Sequence, residues 1–83
     1  MTTLTVRPVA SGWAVTVAGV ANEMMFRSGA AAEAAARRLA ERLAAKGEPS
    51  KLVIRLRDGS VAGRFLFPPR APKPAAPRWR EAA

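Results

Sequence analysis

The sequence predicts an α+β fold, an antiparallel sheet of four or five strands with one helix packed on one face, in the order β, β, a short β, α, β, β, followed by a disordered C-terminal tail. Three observations predict it. Residues 4–17 and 51–67 alternate apolar and polar side chains with a period of two, and the stretch between them repeats its apolar residues every three or four positions. From Pro68 onward proline becomes dense and the apolar period disappears. A chain of 83 residues has room for one core. The expected division is therefore a domain over residues 1–67 and a basic, proline-rich tail over residues 68–83.

Leu4 and Val6 alternate with Thr5 and Arg7 as in a half-buried strand, and Pro8, which lacks an amide donor, suits its end or an edge. Ala10, Ser11 and Gly12 supply a turn. Trp13, Val15 and Val17 then alternate with Ala14, Thr16 and Ala18 in a second strand. Residues 19–23 turn again, and Met24, Met25, Phe26 and Arg27 add a short third strand. Trp13 reads as the largest piece of the core, and the Met24 to Phe26 segment as packing or as a strand edge covered in a dimer.

Ser28 is the expected N-cap of the helix, because its hydroxyl accepts from an otherwise unpaired amide of the first turn. Gly47 is the expected residue just past its end, with Pro49 blocking continuation. Between them Ala32, Ala35, Ala36, Leu39, Ala40 and Leu43 share one face, while Glu33, Arg37, Arg38, Glu41, Arg42 and Lys46 occupy the other. A face of alanine implies close approach to the sheet, with Leu39 and Leu43 as the main knobs. Glu33 and Arg37 form an i, i+4 pair in the favourable order, and Arg38 and Arg42 can each approach Glu41.

The second hairpin is the clearest local signal. Asp58 and Gly59 read as a two-residue turn that accepts positive φ. That loop sets Arg57 opposite Ser60, Leu56 opposite Val61, Arg55 opposite Ala62, Ile54 opposite Gly63, Val53 opposite Arg64 and Leu52 opposite Phe65. One face then carries Leu52, Ile54, Leu56, Val61, Phe65 and Phe67, the natural surface for the helix to cover. The other carries Lys51, Arg55, Arg57 and Arg64 among Val53, Ala62 and Leu66. If the first hairpin joins the same sheet, Arg7 falls on this outer face too.

The order of these elements carries a resemblance. Gly12, Trp13, Ala14 and Val15 give a G-W-x-V strand; Ser28 with Ala32, Glu33, Ala34, Ala35 and Ala36 opens an Ala/Glu-rich helix; Arg57, Asp58 and Gly59 give an R-D-G hairpin. In these features residues 4–66 resemble a family of short bacterial proteins defined only as a domain of unknown function. The resemblance implies this fold and brings no activity, cofactor or site residue with it.

Composition narrows the chemistry. With no cysteine and no histidine the chain lacks thiol chemistry, the commonest zinc ligands and the commonest general base. Asp58 is explained by its turn, and Gly59 leads into a strand, not into the helix N-terminus that a phosphate loop needs. The expectation is a protein that is not an enzyme, with no cofactor, no metal and no small-molecule substrate. No run of about 18 apolar residues occurs and no basic-then-apolar leader begins the chain, so the expected location is the cytoplasm.

A net charge of +8 concentrates polyanions near the surface whatever the fold. Arg7, Lys51, Arg55, Arg57 and Arg64 on the outer face, with Arg70, Lys73, Arg78 and Arg80 in the tail, are the candidate nucleic-acid-binding residues. The same charges also serve a sheet face by keeping it solvated and unaggregated. Pro69 with Pro72, and Pro74 with Pro77, give the P-x-x-P spacing of ligands for aromatic grooves, a spacing common in any proline-rich segment. Two functions follow as expectations. The first is weak, sequence-independent association with nucleic acid; the alternative is a protein-interaction or homodimerisation module with no nucleic-acid role.

Overall fold

In the computed structural model, which describes residues 1–70, the alternating N-terminal run folds as β1 (Thr2–Val9) and β2 (Gly12–Val17). They pair antiparallel with Val6 facing Val15 and Val9 facing Gly12. Gly12 has φ +150°, and a Cβ on it would lie 2.3 Å from the Phe26 carbonyl oxygen. Only glycine lets the short strand β3 (Met24–Phe26) close against β2 there, with Trp13 opposite Phe26.

Helix α1 (Gly29–Ala45) begins and ends where its caps predict. Ser28 Oγ accepts from the Ala31 amide at 3.1 Å. At the other end the Gly47 amide donates to Ala44 O at 3.0 Å and the Glu48 amide to Leu43 O at 2.8 Å, the paired bonds of a Schellman motif. The chain then enters β4 (Ser50–Arg55) and returns as β5 (Val61–Phe67).

All five strands form one sheet in the order β3-β2-β1-β4-β5. Three of its pairings are antiparallel, as expected, but the central one is parallel: Leu4 lies beside Leu52 and Val6 beside Ile54. The helix is the reason. Parallel neighbours need a long crossover, and α1 carries the chain back to the end of the sheet where β1 starts, so that the Thr2 amide donates to Pro49 O at 3.0 Å.

The core lies between sheet and helix. Leu4, Val6, Val15 and Leu52 are buried against Ala32, Ala36 and Ala40. With Ala44, the alanines form a stripe at every fourth position, narrow enough to bring the helix backbone close to the strands. Leu39 and Leu43, the expected main knobs, are only half-buried. Each precedes a stripe alanine by one residue, about 100° around the helix, and so falls to the side of the contact. Ser50, the one buried polar residue among those described, donates from Oγ to Ala40 O at 3.3 Å and ties α1 to β4.

The second hairpin keeps its expected register from Leu52–Phe65 to Ile54–Gly63, then shifts by one residue so that Arg55 faces Val61. The loop is Arg57, Asp58 and Gly59 instead of Asp58 and Gly59 alone: the Gly59 amide donates to Leu56 O at 2.9 Å and the Leu56 amide to Ser60 O at 2.8 Å. A two-residue turn of the primed type would need Asp58 at positive φ. In the three-residue loop only Gly59 takes it, at +85°. Leu56 consequently leaves the covered face and is 48% exposed, and Arg57 moves from the outer face into the loop. Phe65 lies on an edge strand that the helix only partly shields, and the Arg37 guanidinium sits 4.3 Å above its ring. Arg37 also bonds Glu33 as expected, at 3.0 Å, whereas among the described residues Glu41 forms no ion pair with Arg38 or Arg42.

Candidate nucleic-acid interface

Because side chains alternate across a strand, residues that interleave with Leu4, Val6, Leu52 and Ile54 stand on the face the helix leaves open. On β4 these are Lys51, Val53 and Arg55; on β5, opposite Val53, stands Arg64; on β1 they are Thr3, Thr5 and Arg7. Lys51 and Arg55 flank Val53 along the strand, and Arg64 flanks it from the next one. With about 3.3 Å per residue and 4.8 Å between strands, each of the first two lies about 8 Å from Arg64, backbone to backbone.

The cations differ in how free they are. Arg7 is half-buried and engaged by the Glu23 carboxylate from the β2–β3 loop. Lys51, Arg55 and Arg64 have no carboxylate within ion-pair distance among the described residues. Arg55 uses one guanidinium nitrogen to donate to Gly59 O at 2.9 Å, which holds it against the hairpin loop and leaves its other donors without a protein partner among the described residues. Asp58 in that loop accepts from Ser60 twice, from Oγ at 2.6 Å and from the amide at 2.8 Å. The hydroxyl bond first, then the amide bond, hold its carboxyl below its ordinary 3.8.

The candidate residues are thus partly gathered. Arg7, Lys51, Arg55 and Arg64 share the open face; Arg57 stands in the loop at its rim; Arg70 is elsewhere, its amide donating to Ala44 O at 2.9 Å beside the helix C-terminus. Lys73, Arg78 and Arg80, the lone Trp79 and the P-x-x-P spacings lie outside the described residues. The helix-side placement of Arg70 is a long-range contact that local sequence patterns do not encode.

The described part of the chain also matches a known family, one described as uncharacterised protein conserved in bacteria, DUF2188, over residues 4–65. The chain belongs to that family. The match runs from within β1 to within β5 of this DUF2188 domain and takes in the elements between them. No curated protein and no solved structure matches it. Among the described residues of the DUF2188 domain no three metal-ligating side chains converge, and no helix is long and apolar enough to cross a membrane.

Proposed function

We propose that this domain binds nucleic acid without sequence preference, laying the open face of its sheet along the phosphate backbone. The observation that supports this reading is the grouping of Lys51, Arg55 and Arg64 around Val53 on a broad surface that the helix leaves uncovered. Each cation that replaces a counterion on a duplex adds about 0.9 to the fall of log affinity with log salt, so three give a slope of about −2.7. Arg7 joins them only by giving up Glu23. Trp13, Phe26 and Phe67 pack towards the helix, so among the described residues the open face offers no ring for a base to stack on, which favours duplex over single strand. In this reading the domain binds and does not catalyse, and Lys73, Arg78 and Arg80 add three further cations for phosphate.

A second reading rests on a different surface. Leu39 and Leu43 of α1 border a groove of about 550 Å³ with Val17, Val20 and Met24, beside an edge strand of three residues. Val20 is 57% and Met24 37% exposed there, an apolar edge that a second chain would cover in a homodimer.

One experiment separates the two. Size-exclusion chromatography with light scattering is run on the full chain, alone and with mixed short DNA and RNA at about 50 mM salt, followed by a salt titration. The nucleic-acid reading expects a complex that weakens with salt at least as steeply as the slope of the three sheet cations. A stable dimer mass with no shift of any probe overturns it in favour of the second reading.

A further inference from the structure

The helix carries its own cations in a geometry that the sheet face does not share. Arg38, Arg42 and Lys46 each follow a stripe alanine, Ala36, Ala40 and Ala44, by two residues. Two residues are 200° of helical turn, so these three side chains leave the helix on the side directly opposite the sheet. Arg70 joins them from a distant part of the chain, placed by its amide bond to Ala44 O. Arg38, Arg42 and Arg70 together line a shallow depression of about 270 Å³ with Glu41 and Ala45. Cations in a last helical turn complement the helix dipole, which accounts for Arg42 and Lys46. It does not account for Arg38, which lies further back, or for Arg70, which belongs to no helix.

We infer that this helix face is a second polyanion surface and that, with the open sheet face, it lets one domain bridge two nucleic-acid segments; the inference rests on the reading proposed above. The two surfaces point in opposite directions. A helix diameter of about 10–12 Å and a layer spacing of about 10 Å set them on the order of 20 Å apart. That exceeds the Debye length of about 8 Å at physiological salt, so the two sets of cations attract phosphates independently. A straight duplex lying on one surface does not reach the other.

The test uses the full chain with one duplex tethered to beads and a second, labelled duplex free in solution, at about 50 mM salt. Wild-type protein captures the free duplex. The triple variant R38Q/R42Q/R70Q keeps the backbone contact of residue 70, keeps its melting temperature, and binds a single duplex with an unchanged salt slope, yet captures roughly tenfold less of the second. The variant K51Q/R55Q/R64Q also loses capture, and binds a single duplex only through the helix face. Wild-type binding to one duplex without capture of another overturns the inference and leaves the proposed function standing. Undiminished capture by R38Q/R42Q/R70Q also overturns it, because a dimer or the tail then does the bridging. Failure of the wild type to bind even one duplex overturns both.

Discussion

The two faces of this one sheet are held in different ways. The covered face is fixed by volume: Leu4, Val6, Val15 and Leu52 are at most 1% exposed, and the alanine stripe above them leaves no slack. Among the described residues the open face has no element over it, yet Ala14 is fully buried and Val53 only 6% exposed. What stands around Val53 is Thr5 and Arg64 across the sheet and Lys51 and Arg55 along it; what stands across from Ala14 is Arg7 on one side and Met25 on the other. Long basic side chains therefore have two parts with separate duties on the open face. Their aliphatic stems shelter the sheet, and their charged heads remain in water. The lesson is that charge on the open face is free to vary with function as long as the stems persist, while almost nothing on the covered face is free.

The largest expected effect lies on the covered face. Leu52→Ala removes a fully buried side chain from the middle strands and should cost about 2–5 kcal/mol in chemical denaturation. For a small domain that is a large share of the total stability. A cost below about 1 kcal/mol would break the comparison, by showing that α1 does not clamp β4. The counterpart on the open face is K51Q/R55Q/R64Q, which removes charge and keeps much of each stem. Its stability should stay within about 0.5 kcal/mol per site, as at ordinary surface positions, and the alanine version of the same triple should be clearly less stable. Equal stability of the glutamine and alanine versions would mean that the stems shelter nothing.

The same contrast explains what was legible in the sequence. Local rules were enough for the caps at Ser28 and Gly47, for the pairing of Leu52 with Phe65, and for the split of the second hairpin into an apolar and a cationic face, since each depends on residues close in the chain. The parallel contact of β1 with β4 joins residues more than forty positions apart and leaves no local trace. The three-residue loop escaped because Asp-Gly suits both loop types, and the choice between them turns on whether Asp58 tolerates positive φ. That single residue of slip moved Arg57 to the rim. Of the cationic site, strand parity located Arg7, Lys51, Arg55 and Arg64, but neither the Glu23 carboxylate engaging Arg7 nor the place of Arg70 beside the helix follows from alternation.

The smallest expected effect is at the hairpin loop, where a carboxylate shapes the end of the open face. Asp58 is fully exposed, and its lowered pKa comes from the Ser60 hydroxyl and amide, which bond the ionised form. A carboxyl depressed in the folded state stabilises the fold above its unfolded pKa of about 3.9, and that stabilisation fades as pH falls from there through the depressed value. Asp58→Asn keeps an acceptor but carries no charge, so it should be slightly less stable than wild type near pH 6, and the gap should close as the pH falls below about 4. Thermal melts of the two proteins across this range check it. A gap that stays constant down to about pH 2 would mean that the loop is held by backbone geometry alone. In that case Arg55, which leans on the Gly59 carbonyl of the same loop, would be positioned on the open face with no contribution from the aspartate charge.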